Sequence, residues 1–451
     1  MSADATATSK AAGSGLGASG AAVANRPPLA GVRVVDAGIA LAAPLAGHFL
    51  GHFGADVVKV EPPDGDYSRL AGGEARHPGM NPFTLHTSRE KRSIALDLKT
   101  PEGKEVLARL VRDADVFLHN FRPEAAAKLG VAYEDIAAIN PKIIHVHVVG
   151  FGTRGRYAGL PAYDDIIQTA VAVPRLMGEL NGGTPLMVPT AWVDRLVGIT
   201  AYGHIATALY GRSQDGLGRR IEVPMFEIAA HLVLSDHLYL RTFQPPLGPA
   251  GHFRLMDPNR KPHRTADGYL CAMPTHDKHW AAIFELADRP ELMKDPRFAD
   301  MRSRMTHIKE LTALLADLLA TRTTAEWVEK LRAADVPAMP AVTINELVDD
   351  PHLADVGFLA PEHHPTEGDI LNMRFPGDWS DWDRGPGRSA PRCGEHSREI
   401  LAEVGYSAAE IDALIATGVS RAPTEPTVGA RLMPREASPN EPQGVSLEIR
   451  P

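Results

Sequence analysis

The sequence predicts an α/β protein whose parallel β-sheet is covered by helices on both faces. Three observations carry this. From residue 29 to 152 strand-like and helix-like segments alternate. The first strand pattern, VRVVDAG (32–38), has Val32, Val34 and Val35 apolar, as a buried strand does. A helix with clear start signals also lies between two such strands, which suits a crossover between parallel neighbours.

Taken in order, VRVVDAG leads into PLAGHFLGHFG (44–54), a short helix stopped by Gly54. ADVVKVE (55–61) is the second strand and RSIALDL (92–98) the third. The helix that follows has Thr100 as N-cap, Pro101 at its first position, Glu102 in the first turn, and Val106, Leu107, Leu110 and Val111 at helical spacing. DVFLHNF (115–121) and KIIHVHVVGFG (142–152) return as strands, and RRIEVPMFE (219–227) reads as a strand running into another helix. Beyond a Pro/Gly-rich stretch at 244–253, the Asp267–Gly268 pair marks a turn before the strand YLCAM. Leu311, Leu314, Leu315 and Leu318 share a helix face, and Thr323 with Glu326 forms a capping box. Residues 349–392, rich in Pro, Gly and His, read as loop. Two helices close the pattern, SREILAEVG and SAAEIDALIATG, the second opened by the Ser407–Glu410 box.

Composition narrows the function. The net charge of −9 argues against a general nucleic-acid binder. Cys271 and Cys393, the two cysteines, supply neither a disulfide framework nor C-x-x-C spacing. No apolar run reaches the length of a membrane span. The Ala/Gly/Ser-rich leader (1–25) has no secretory h-region, and it and the Pro/Glu-rich tail (423–451) read as disordered. A soluble protein of the reducing cytoplasm is expected.

In open parallel sheets ligands bind outside the carboxyl ends of the strands. That rule points to Glu61, to Leu98 and Lys99, and to Asn120, Phe121 and Arg122. The first strand-to-helix turn, DAGIALAAP, lacks G-x-G-x-x-G, and no G-x-x-x-x-G-K-[ST] is present, so NAD and ATP are poor candidates. One acid stands among apolar neighbours in VPTAWVDRLVG (188–198). By itself Asp194 reads as the N-cap of a helix running from 195 to about 211, accepting hydrogen bonds from the first-turn N–H groups.

Seven fragments occur in an order that resembles the family III CoA-transferases (the CaiB/BaiF family). They are PLAGVRVVDAG, GADVVKVEPPDGD, KRSIALDLKTPEGKEVL, ADVFLHNFRPEAAAKLG, NPKIIHVHVVGFG, AYDDIIQ and GEHSREILAEVGYSAAEIDAL, spanning about 28–419. The resemblance implies a Rossmann-like large domain whose sheet draws on both ends of the chain (26–225 and 393–422). It implies a smaller inserted α+β domain (250–345), linkers at 226–249 and 346–392, and an interlocked homodimer. It makes Asp194 the nucleophile and places coenzyme A against Leu41, Ala42, Leu96, Asp97, Leu98, Lys99, Asn120, Phe121, Arg122, Lys128, Tyr163 and Asp164. An acyl-CoA donor and a carboxylic acid acceptor are the implied partners, with no prosthetic group. Two departures stand out. Pro62 occupies a place where formyl-CoA transferase has an arginine, and LGPAGH (247–252) replaces its tetraglycine flap.

The phosphates of CoA require local positive charge, for which Lys91, Arg92, Lys99, Lys104, Arg122 and Lys128 are candidates. A carboxylate at a helix N-terminus is held as the anion that attack on a thioester needs. Gln168 is a candidate for positioning a substrate carboxylate, or a buried structural amide. The pairs His145/His147 and His276/His279 lack a Cys or acidic partner to complete a metal set. A racemase of similar fold would use a His–Asp acid–base pair, but the segment PAYDDII has Tyr163 and Asp164 and no histidine. That pattern favours transfer over racemisation, and the presence of Asp194 speaks against the other alternative, a CoA-binding protein that has lost its chemistry.

Overall fold

A computed structural model describes residues 26–382, 385 and 387–423. The disorder expected of the leader, and of the tail beyond residue 423, concerns residues outside these. Six strands run parallel: β1 (Arg33–Asp36), β2 (Asp56–Glu61), β3 (Lys91–Leu96), β4 (Val116–His119), β5 (Ile144–Val149) and β6 (Arg219–Pro224). Their order is β3-β2-β1-β4-β5-β6. A two-residue strand, β12 (Ser420–Arg421), pairs antiparallel with the outer edge of β3. The chain leaves β1 for β2 on one side and later returns to β4 on the other, so the topological switch point lies between β1 and β4.

Successive residues on β1 face opposite layers, which builds two cores. Val34 packs with Val57, Val116, Ile144 and Val146 under α1 (Ala42–His52) and a long helix, α5 (Trp192–Asp215). Val35 packs with Val58 and Phe117 under α2 (Pro101–Arg112) and two C-terminal helices, α7 (Ser397–Glu403) and α8 (Ala408–Ala416). Ile400, Leu401, Ile411 and Leu414 belong to that second layer, so one sheet face is completed by the far end of the chain. Two shorter helices, α3 (Pro123–Leu129) and α4 (Asp164–Ala170), follow β4 and β5. The Thr100, Thr323 and Ser407 caps all form as their sequence signals predict, the last two as complete capping boxes.

A separate core gathers Leu270, Phe284, Leu311, Leu315, Trp327 and Ala338 around a three-stranded antiparallel sheet, β7 (His263–Arg264), β8 (Tyr269–Ala272) and β9 (Ala338–Pro340). The two stretches expected as linkers are structured. Within 226–249 the chain forms α6 (Met225–His237) and a 3-10 turn at Tyr239–Thr242, because no Gly or Pro interrupts residues 225–243. Within 346–392 it forms Pro351–Asp355 as a helix and a hairpin of β10 (Leu359–His364) and β11 (Gly368–Met373). That hairpin turns at Gly368, whose φ is +67°, and is pinned to the large unit by the Arg89–Glu362 ion pair at 2.6 Å.

Candidate active site

At the switch point a cleft of about 340 Å³ opens beyond the ends of β1, β4 and β5. Its walls include Leu41 and Ala42 from the first turn, Asn120, Phe121 and Arg122 after β4, Tyr163 at the start of α4, and Asp194 in the first turn of α5.

The first turn is held rigid from beneath. Asn120 bonds both backbone groups of Ile39, its Oδ1 accepting from the N–H at 2.8 Å and its Nδ2 donating to the carbonyl at 2.9 Å. Asp66 accepts from Ala40 N–H at 3.0 Å and pairs with Lys59, which also donates to the Gly38 carbonyl. Asp36 accepts from Gly38 N–H and pairs with Lys91 at 2.8 Å. These contacts hold Ala40 at φ +59°, a strained value for a residue with a Cβ. The sequence reading does not anticipate this network, although its signal is visible: a lone Asp and a lone Lys inside buried strands, VRVVDAG and ADVVKVE, need partners.

Lys91 is therefore no phosphate ligand. It is fully buried, and that burial lowers its pKa against the attraction of Asp36. Arg92 is engaged with Asp56, Glu399 and Glu403. The remaining cations differ: Lys99, Arg122 and Lys128 are exposed, and half-buried Lys104 donates to the Lys128 carbonyl at 2.9 Å.

The next candidate stretch divides. The side chains of Leu96 and Leu98 are buried in the core, and Asp97 Oδ1 accepts from Lys99 N–H at 3.0 Å to shape the turn.

Asp194 is not the N-cap. α5 begins at Trp192, its cap position is Ala191, and Asp194 lies in the first turn. Gly198, one turn later on the same face, packs so closely on α1 that an added Cβ would stand 2.9 Å from the Ala42 carbonyl oxygen and from Leu45. That approach sets Asp194 beside the N-terminus of α1, which no side chain caps. Among the described residues the Asp194 carboxylate accepts no hydrogen bond. Its pKa is raised to about 7, first by burial and then by the like charge of Asp164. Desolvation and the neighbouring acid thus oppose the anionic form that the helix end favours.

Asp164 itself is buried and does not line the cleft; it accepts from the Asp194 N–H at 3.0 Å. Gln168 is fully buried, donating to Asp164 at 2.5 Å and accepting from Val188 N–H at 3.1 Å, so it is a structural amide. His145 and His147 bond the Val131 and Phe121 carbonyls. No group of three or more His, Cys, Asp or Glu among the described residues is placed to hold a metal. No helix among the described residues is long and apolar enough to cross a membrane.

The sequence profile of CoA-transferase family III matches residues 29–397. The chain belongs to CoA-transferase family III. This family III protein is 32% identical over 392 residues to the succinate–glutarate CoA-transferase of Agrobacterium fabrum, covering 84% of this chain and 96% of that one. It is 32% identical over 386 residues to a probable fatty acyl-CoA transferase of Mycobacterium tuberculosis, covering 83% of this chain and 98% of that one. A crystal structure of a CaiB/BaiF family protein from Brucella suis superposes with a TM-score of 0.73 at 30% identity, over 84% of this chain and 100% of that one. As a family III CoA-transferase the enzyme uses CoA thioesters as substrates.

Proposed function

We propose that this CoA-transferase moves CoA from an acyl-CoA to a carboxylic acid acceptor through covalent intermediates on Asp194. The observation that carries the reading is the Asp194 carboxylate, unpartnered at the cleft and beside the uncapped N-terminus of α1. An Oδ attacks the thioester carbonyl, the C–S bond breaks, and CoA leaves as thiolate from an aspartyl mixed anhydride. The thiolate then attacks the Asp194 acyl carbon, expelling the donor carboxylate and leaving an aspartyl-CoA thioester. The acceptor carboxylate repeats both steps in reverse and regenerates Asp194. The Ala42 and Ala43 N–H groups at the start of α1 would stabilise the oxyanions. Leu41, Ala42, Asn120, Phe121 and Tyr163 would line the path of CoA, with Lys99, Arg122 and Lys128 toward its phosphates.

Asp194→Ser removes the carboxylate and is expected to fold and show no transfer. Wild type with an acyl-CoA should accumulate an adduct on the Asp194 peptide that hydroxylamine intercepts. Transfer retained by Asp194→Ser, or α-deuterium washed in without an acceptor acid, would overturn the reading.

We further propose that a second copy of the chain covers the exposed apolar side chains of α5 and α6, among them Ile199, Tyr210, Leu232 and Leu234. This supports the interlocked homodimer implied by the resemblance.

A further inference from the structure

We infer that Asp164 is a positioning residue: its carboxylate, braced by Gln168, caps α5 at the nucleophile's own amide and thereby fixes where Asp194 stands. The inference rests on the reading of Asp194 as nucleophile. A helix start normally has its first-turn N–H groups satisfied by the side chain of its own cap residue. Here that residue is Ala191, which has no acceptor side chain. The acceptor comes instead from α4, thirty positions upstream, as Asp164 Oδ2 at 3.0 Å from Asp194 N. Its other oxygen takes Gln168 Nε2 at 2.5 Å, and Gln168 Oε1 in turn holds Val188 N–H, in the segment that leads into α5. One carboxylate and one amide thus tie α4, the 188–190 segment and the first turn of α5 together.

Both carboxylate oxygens are committed within the protein, and the residue is buried behind the cleft wall formed by Tyr163 and Asp194. That geometry is a poor fit to the direct CoA contact that the family resemblance implies for this position. It leaves the Asp194 carboxylate without a capping duty, available for chemistry. It also puts a second acid beside the nucleophile. The charged groups facing Asp194 are Asp164 and Asp165 from α4, which favour its protonated form, and Arg195 from its own helix, which opposes them.

The sign follows directly. Attack requires the Asp194 anion, so the rate of adduct formation falls as pH drops through about 7. Removing the Asp164 charge lowers the Asp194 pKa and moves that acid limb to lower pH.

The test measures hydroxylamine-trapped adduct from an acyl-CoA as a function of pH and of acyl-CoA concentration, in wild type, Asp164→Asn and Asp164→Ala. Asp164→Asn, near-isosteric and still able to accept from Asp194 N–H, should shift the acid limb down by about half a pH unit or more. Asp164→Ala removes the cap, and the maximal rate of adduct formation should fall about 100-fold while half-saturation by acyl-CoA changes less than about threefold. Half-saturation raised about tenfold with the maximal rate intact would make Asp164 a CoA contact and overturn the inference. An unmoved acid limb in Asp164→Asn would overturn it too, and that arm stands even where the alanine variant fails to fold. Absence of any adduct in wild type would refute the nucleophile itself, a separate outcome from either of these.

Discussion

At the scale of single residues, the site separates groups that hold from groups that react. Asn120 binds Ile39 through both of its side-chain polar atoms, whereas Lys99 and Arg122 are exposed cations, Arg122 on the wall of the cleft. Replacing Lys99 or Arg122 with Ala should therefore leave the fold intact and raise the KM for acyl-CoA about tenfold through loss of a charge-assisted phosphate contact. Steady-state kinetics with acyl-CoA and with free CoA as inhibitor checks this; unchanged values for both would remove these residues from the site. Asp194 drew attention in the sequence because a lone acid in an apolar run needs a reason, but the residues alone made it an N-cap, which it is not, and its role as nucleophile is what the family resemblance implies. The upward shift of its pKa was not legible, since that depends first on burial and then on Asp164, thirty positions away and brought near only by the packing of α4 on α5. Lys91 and Arg92 misled for a similar reason. Both lie on a strand that the sequence reveals, but only the sheet order shows that Asp36 and Asp56 stand beside them.

At the scale of elements, the contact between α1 and α5 sets how far Asp194 stands from the start of α1. Gly198 has no room for a side chain against the Ala42 carbonyl and Leu45. Gly198→Val should push α5 outward, cost about 1–3 kcal/mol through overpacking, and reduce turnover by more than the stability loss alone accounts for. Thermal unfolding together with kcat measures both parts, and full activity in this variant would show that the spacing is not critical. The elements that could be read ahead of the structure had local signals: Thr100 before Pro101, and the boxes at Thr323 and Ser407. The hairpin of β10 and β11 was hidden because LAPEHH has no regular alternation, GDILNM alternates only between half-buried and exposed positions, and the turn at 365–367 is not a common two-residue type. Its place is fixed by distant partners, such as Arg89 for Glu362 and the Ala390 carbonyl for His364.

At the scale of the whole molecule, the exposed faces of α5 and α6 frame the expected assembly. Tyr210 is 70% exposed and Ile199 53%, on a helix whose opposite face is fully packed. If two copies are interlocked, tagged and untagged dimers mixed under native conditions should not exchange subunits, because separation would require one chain to open. Exchange should follow only after denaturation and refolding. Rapid native exchange, read by co-purification, would rule the interlock out and leave an ordinary docked dimer.

The strand at Ser420–Arg421 carries a different consequence, one of timing during synthesis. It covers the last two residues of β3's outer edge, Ala95 and Leu96, and Ser397 secures it there by donating to the Arg421 carbonyl and accepting from Ala95 N–H. A ribosome releases β3 long before it releases this strand. Throughout most of translation the nascent chain therefore presents Lys91–Leu96 as an unpaired edge with an apolar second half, the kind of surface that recruits other strands. A chain stopped ahead of residue 397 would keep that edge open permanently, and with it a route to aggregation that the finished protein does not have.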